Sequence, residues 1–169
     1  EKPNMYSLIL ELIDDKNQLW TGTENGLYIA KLSAAPQKSL NNKLLFEPIK
    51  DQSQALLQNA GRRDIVQDSR GIIWTIAANV LIRIAPTPYG YNIKKYGYKR
   101  ELATLLVDTL GTTSRSVLWV GSWYNGAHLF DTEKQEFLEI PFDSSATPIL
   151  WNHNVEKIIK TRSGAYYFG

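Results

Sequence analysis

Short apolar runs alternate with polar turns along the chain, and this pattern predicts β-strands rather than helices. In the first unit an apolar run ends at Ile13, a polar turn follows, and a second strand contains Trp20. The same pattern returns before Trp74, before Trp119 and before Tyr167. These four aromatic positions recur every ~45–55 residues, a spacing typical of propeller blades.

Each unit also carries signals for further strands. An Asn-Gly pair follows Trp20 at Asn25-Gly26 and follows Trp119 at Asn125-Gly126. Asn-Gly between apolar strands is the strongest short-range hairpin signal. Outer strands are predicted near 44–49, 91–96 and 136–140. The expected fold is therefore all-β, a β-propeller fragment of about three and a half four-stranded antiparallel blades. The repeat units lie at approximately 8–50, 62–97, 103–141 and 154–169.

An Asp precedes each Trp of the repeat. Asp14 and Asp68 lie six positions before theirs, whereas Asp108 lies eleven positions before Trp119, so its hairpin loop is longer. Because the position repeats, we expect these carboxylates to cap the turn backbone. The repeated rings are expected to fill the space between blades rather than to bind a ligand. These rings are Trp20, Trp74, Trp119 and Tyr167.

Composition narrows the function classes. The chain has 169 residues, 43% of them hydrophobic and 21% charged, which is typical of a packed globular domain. A net charge of +2 gives no reason to expect nucleic acid or an acidic membrane as partner. With no cysteine and two histidines, we predict no disulfide, no metal site and no cofactor. The first residues do not form a signal peptide, so a piece of a longer protein is expected.

The repeat Asp-x-x-Gly-x-Ile/Leu-Trp-x-Gly-Thr-x-x-Gly-Leu-Tyr resembles the two-component regulator propeller family. The first copy matches it at Asp14, Trp20, Gly22, Thr23, Gly26, Leu27 and Tyr28. The third copy keeps Asp108, Trp119, Gly121 and Gly126, and the second keeps Asp68, Gly71 and Trp74. The second copy has Ile76 and Val80 where the family has glycines, which predicts a remodelled hairpin.

The resemblance implies a sensor. Such propellers form the extracytoplasmic part of hybrid histidine kinases or membrane-bound diguanylate cyclases, and many of them respond to glycans. A non-catalytic, periplasmic sensing domain is therefore expected, with membrane attachment only through the parent protein. A closed propeller of this family has about seven blades, so the remaining blades or a second copy in a dimer are the expected partners.

Three residue groups are candidates for binding a carbohydrate or another small ligand. Trp123-Tyr124 occupies the turn of the third copy, Trp151-Asn152-His153 precedes the fourth, and Arg62-Arg63 precedes the second. All three groups are expected on one face, where rings stack on sugars and Asn or His bonds hydroxyls. The arginines suit a carboxylate or sulfate. Loop anchoring, a domain interface or, for the arginines, a salt bridge are the alternatives.

Two other functions stay open. A propeller lyase similar to the streptogramin lyases needs a His and a Glu with a divalent metal, and repeat position offers His153 and Glu24. A bare scaffold that docks protein partners is the third possibility. His128 lies within a predicted strand and is expected to be a packed residue.

Overall fold

The computed structural model describes residues 10–23, 25–32, 44–50, 57–58, 60, 63–110, 115–138 and 153–169. Every element of regular secondary structure in these ranges is a β-strand, so the expected all-β class is confirmed. The strands are β1 (Leu10–Ile13), β2 (Gln18–Thr23), β3 (Gly26–Lys31), β4 (Glu47–Pro48), β5 (Ile65–Gln67), β6 (Ile73–Ala77), β7 (Val80–Thr87), β8 (Gly90–Gly97), β9 (Leu102–Leu110), β10 (Arg115–Ser122), β11 (Ala127–Asp131), β12 (Glu136–Leu138), β13 (Ile158–Lys160) and β14 (Tyr166–Phe168).

The strands pair in sequence order, as blades of a propeller do. Three four-stranded sheets have the orders β1-β2-β3-β4, β5-β6-β7-β8 and β9-β10-β11-β12, and β13 pairs with β14. The register places equivalent residues opposite each other, with Trp20 facing Leu12 and Trp74 facing Val66. The fold is thus a set of consecutive β-propeller blades.

The chain divides into two compact units. The first contains the first sheet and most of the second. The second contains the third sheet, the β13–β14 pair, residues 78–81 and the end of β8.

In the first unit the strands bury side chains on both faces, which explains their continuous apolar runs. Ile73, Trp74 and Ile76 are all buried along β6. β1 lies beside β5, and Trp20 packs edge-on against Tyr91 with 5.4 Å between ring centroids. The first sheet therefore covers a face of the second, and burial of this apolar area is the main stabilising contribution.

In the second unit Trp119 fills the space between the third sheet and the β13–β14 pair. Its ring centroid lies 5.4 Å from that of Tyr166 and 5.5 Å from that of Phe168. Val155 and Ile158 complete this core. Tyr167 behaves differently from the expected packing ring, because its side chain is 64% exposed. Alternation along β14 turns its ring away from Trp119, toward a face that no sheet of the described residues covers.

Asp14 and Asp68 hold their turns and their tryptophans at once. Asp68 Oδ1 accepts hydrogen bonds from the backbone N–H groups of Arg70 and Ile72, and Oδ2 accepts one from Trp74 Nε1 at 3.0 Å. Asp14 makes the same three bonds, with Trp20 Nε1 at 2.8 Å. We refer to this arrangement as the Asp–Trp latch. It fixes the turn between the first two strands to the ring that packs between blades.

Asp108 has other partners among the described residues, whereas residues 111–114 of its turn lie outside them. Its carboxylate accepts hydrogen bonds from Lys160 Nζ at 2.5 Å and from the Tyr166 hydroxyl, both on the next pair of strands. Burial opposes ionisation, but these bonds outweigh it and hold the pKa of Asp108 below its usual value. The longer separation from Trp119 removes the latch geometry and leaves the carboxylate to tie β9 to β13 and β14.

The second hairpin is remodelled into a two-residue turn. β6 ends at Ala77, β7 begins at Val80, and Ile76 is an ordinary buried strand residue. Ala78 adopts a φ of 52° in this turn. A left-handed backbone conformation costs an L-residue free energy because its Cβ approaches the following carbonyl oxygen.

We expect Ala78→Gly to raise the free energy of unfolding by about 0.5–1 kcal/mol, because glycine adopts this φ without strain. The neighbouring change Ala77→Gly, within β6, is the matched control and should lower it by about 0.5–1 kcal/mol. Urea unfolding midpoints measure both. Destabilisation by Ala78→Gly would contradict the assigned turn.

Candidate functional site

The turn between β10 and β11 carries two of the predicted ligand residues. The Ser122 amide and hydroxyl both donate to the Gly126 carbonyl, each at 2.9 Å, and so close the turn. In the first blade the corresponding hydroxyl bond joins Thr23 to Gly26, so the third-blade turn is one residue longer. Tyr124 takes a φ of 59° in this turn. We call residues 123–126 the aromatic turn.

The segment that leads into β13 holds the aromatic turn and the end of β10 by three hydrogen bonds. The Tyr124 amide donates to Asn154 Oδ1 at 3.0 Å, and the Gly126 amide donates to the His153 carbonyl at 3.0 Å. The Val155 amide donates to the Ser122 carbonyl at 3.1 Å. The structure therefore brings Tyr124 and His153 together, two of the residues for which sequence position predicted a common face.

The rings of the aromatic turn form a small exposed platform. The Tyr124 side chain is 66% exposed, and its ring centroid lies 6.2 Å from that of the partly buried Trp123. His153 and Asn154 are exposed beside them. Apolar ring faces next to hydrogen-bonding side chains suit a ligand that has both apolar and polar faces.

Beneath the platform lies a polar cluster that the sequence did not reveal. Asn125 Nδ2 lies 2.7 Å from the Tyr98 hydroxyl and 3.0 Å from His128 Nε2, and the Tyr98 hydroxyl lies 3.0 Å from the same nitrogen. Ser122 Oγ is 3.4 Å away from it. His128 is thus a half-buried strand residue whose ring faces the aromatic turn.

The charges around this cluster favour neutral side chains. Burial lowers the pKa of His128, a hydrogen bond with the Asn125 backbone opposes this effect, and the positive charge of Lys99 lowers the pKa further. Burial also raises the pKa of Tyr98, although its hydrogen bond with Asn125 opposes this effect. At neutral pH the cluster is therefore an uncharged hydrogen-bonded support for the turn.

Of the remaining predicted site residues, Arg63 alone lies in the described part of the chain. Arg63 is exposed and belongs to the first compact unit, whereas the aromatic turn belongs to the second. Trp151, Asn152 and Arg62 lie outside the described residues. Asn154 belongs to the same segment as the candidate residues before the fourth copy, and the structure places its side chain on the Tyr124 amide.

The first unit contains a second concave region, which the sequence did not predict. A groove of about 750 Å³ lies beside β3 and is lined in part by Leu44 and Leu45, which precede β4. Its rim bears the cationic residues Lys16, Lys31 and Lys50, together with Glu47. Ile29 and Tyr91 are among the residues that line it. It lacks the exposed ring pair of the aromatic turn.

The described residues bring together no group of three or more His, Cys, Asp or Glu side chains that could hold a metal ion. Within the same residues, no helix has the length and apolarity required to cross a bilayer.

Solved structures share the fold of this chain, whereas no family model and no curated protein sequence matches it. PorZ, an essential surface component of the type-IX secretion system of Porphyromonas gingivalis, superposes with a TM-score of 0.69 at 15% identity over 96% of this chain. The extracellular domain of a protein assigned to the one-component systems of B. thetaiotaomicron gives 0.59 at 16% identity, also over 96%. A catalytically inactive virginiamycin B lyase from Staphylococcus aureus, with quinupristin, gives 0.59 at 18% identity over 99%.

The chain spans only part of these proteins, namely 24% of PorZ, 19% of the one-component-system domain and 50% of the lyase. At these identities the likeness concerns the fold. The chain is similar to a run of β-propeller blades found in proteins of different functions.

Proposed function

We propose that this chain is the non-catalytic, ligand-sensing part of a propeller in a bacterial membrane-bound signalling protein. The aromatic turn and the adjoining His153 and Asn154 form its ligand site. The observation that carries the proposal is the Tyr124 ring, which is 66% exposed on a backbone fixed by hydrogen bonds to a second segment. An exposed ring held in place loses little conformational entropy when a ligand stacks on it.

A carbohydrate is the ligand class that fits this site. Sugar rings present apolar C–H faces to aromatic rings and hydroxyl groups to amide and imidazole side chains. Tyr124 and Trp123 supply the rings, and His153 supplies an exposed imidazole. The site has no described cationic side chain among these residues, so a neutral glycan is the expected form.

A periplasmic position belongs to the same proposal. The likeness to the extracellular domain of a one-component system supports an extracytoplasmic sensor. The resemblance of the repeat to two-component regulator propellers supports the same role. The remaining blades, or a second copy of the chain, would complete the propeller and carry its signal.

A lyase function lacks a supporting observation on the described residues, although a lyase shares the fold. The site it requires would pair His153 with Glu24 and a divalent metal, and Glu24 lies outside the described residues. A protein-docking role would use the same exposed ring. The carbohydrate-sensing role and the protein-docking role differ in the size of the partner that Tyr124 contacts.

We expect Tyr124→Asn to weaken oligosaccharide binding by about tenfold or more, a loss of about 1.4 kcal/mol. Asparagine tolerates the positive φ of this position, so the change removes the ring and keeps the turn. Binding is first screened on an array of neutral and acidic oligosaccharides and then measured by calorimetry with the strongest neutral binder.

The matched control is Tyr89→Asn, which removes a fully exposed tyrosine ring from the turn between β7 and β8. It should leave the dissociation constant unchanged. If no oligosaccharide on the array binds, the glycan proposal is wrong. Equal affinity of the wild type and Tyr124→Asn would place the site elsewhere.

A further inference from the structure

The polar cluster beneath the aromatic turn has a hydrogen-bond pattern that depends on one proton. The Asn125 amide nitrogen can only donate, and it lies within hydrogen-bond distance of both the Tyr98 hydroxyl and His128 Nε2. Since the Tyr98 oxygen accepts from Asn125, its own proton is free to point at His128 Nε2, 3.0 Å away. Two donors thus converge on one imidazole nitrogen.

With these donors, Nε2 of His128 is the acceptor and carries no proton. A protonated Nε2–H can still donate to the second lone pair of the Tyr98 oxygen, but it can no longer accept from the Asn125 amide. Protonation therefore removes the Asn125–His128 hydrogen bond and sets two N–H donors against each other. Because Asn125 lies between Tyr124 and Gly126, a movement of its side chain acts directly on the aromatic turn.

One contact favours the charged ring, because a hydrogen bond with the Asn125 backbone raises the pKa of His128, whereas burial, the larger effect, lowers it. The ionisable groups that act on His128 are Tyr98, across the hydrogen bond, and Lys99, through its positive charge. Ser122 from β10 is a neutral neighbour, and the Tyr98 ring also packs on Phe137 of β12. In the part of the chain that the structure describes, no carboxylate forms a hydrogen bond or ion pair with the His128 ring.

We infer that His128, acting through Asn125, is a positioning residue for the aromatic turn, and that protonation of its ring releases the turn. The neutral ring accepts from Asn125 and keeps the turn against His153 and Asn154. Protonation of the ring breaks this bond and weakens the hydrogen bonds that the Tyr124 and Gly126 amides donate to Asn154 and His153.

The direction of the pH effect follows from the folded state. Burial and Lys99 outweigh the hydrogen bond with the Asn125 backbone and place the pKa of His128 below its usual value, so the fold favours the neutral ring. The stabilising contribution is fully present above the pKa of an unfolded histidine, about 6.5, and is lost as the pH falls through the folded pKa. The consequence that acid weakens ligand binding rests on the proposed function, whereas the coupling of ring and turn does not.

The experiment follows the turn amides and the His128 ring of the purified protein by NMR from pH 7.5 to 5. We expect the Tyr124 and Gly126 amide shifts to change with the same midpoint as the His128 ring. Their hydrogen-exchange protection factors should fall several-fold over this range. His128→Gln, which has no titrating ring, should abolish the change.

His153→Gln is the matched control because it removes the other imidazole and keeps the backbone carbonyl that holds Gly126. It should retain the pH-dependent change. A midpoint that differs from that of the His128 ring, or a transition lost in His153→Gln, overturns the inference. If His128→Gln fails to fold, the shared midpoint in the unmodified protein decides the question.

This outcome is separable from the proposed function. Oligosaccharide binding at pH 7.5 with turn amides that do not respond to pH would refute the role of His128 alone. A pH-dependent turn in a protein that binds no oligosaccharide would refute the glycan site alone.

Discussion

Replacing Asp68 with alanine is expected to lower the free energy of unfolding by about 3 kcal/mol or more. The Asp68 side chain is fully buried and accepts hydrogen bonds from two backbone amides and from Trp74 Nε1. Alanine removes the acceptor of all three donors, and two of them, the Ile72 amide and Trp74 Nε1, are buried. Each unsatisfied buried donor costs about 1–3 kcal/mol. Urea unfolding measures the change.

Asp68→Asn separates the two parts of the Asp–Trp latch. Its carbonyl oxygen can still accept from the amides of Arg70 and Ile72, but its NH₂ group then faces the Trp74 N–H. We expect a loss intermediate between those of the wild type and the alanine variant. Equal stability of all three proteins would show that the latch does not hold the blade.

Replacing Gly121 with alanine is expected to lower stability by about 3 kcal/mol and to disorder the aromatic turn. A Cβ at Gly121 would lie 2.3 Å from the Val155 carbonyl oxygen and 2.6 Å from Thr104 Cγ2. Overpacking of a core costs about 1–3 kcal/mol, and a backbone contact relaxes less readily than a side chain. The displaced Val155 would also lose its hydrogen bond to Ser122.

The matched control for this change is Gly97→Ala, because a Cβ at Gly97 meets no atom within 4 Å. Its melting temperature should stay close to that of the wild type. Calorimetry gives the stability of both variants, and NMR spectra report the Tyr124 and Gly126 amides. A Gly121→Ala protein with wild-type stability would contradict the close approach of residues 153–155 to β10.

The repeat pattern predicts the strands well because aromatic spacing and Asn-Gly turns are local signals. The side-chain hydrogen-bond partners of Asp108 could not be predicted in this way, because they are distant in the sequence. Its carboxylate pairs with Lys160 and Tyr166, which lie more than 50 residues later. Tyr167 shows a similar limit, since its repeat position gives the register but not whether another sheet covers its face.

Part of the candidate site could be predicted from the sequence for the same reason. The turn that contains Trp123 and Tyr124 is one residue longer than the equivalent turn of the first copy. A comparison of the two copies in the sequence shows this insertion. The polar cluster beneath the turn joins Tyr98, which follows β8, to Asn125 in the turn and to His128 on β11. No spacing rule connects these residues, and Asn125 was interpreted only as a turn former.

The most direct test of the central claim is to map a bound oligosaccharide on the protein. The strongest neutral binder from the array is added to isotope-labelled protein, and backbone amide shifts are followed by NMR. The account predicts that the largest changes fall on residues 123–126 and on His153 and Asn154. Changes centred instead on the groove lined by Lys16, Lys31 and Lys50 would contradict it.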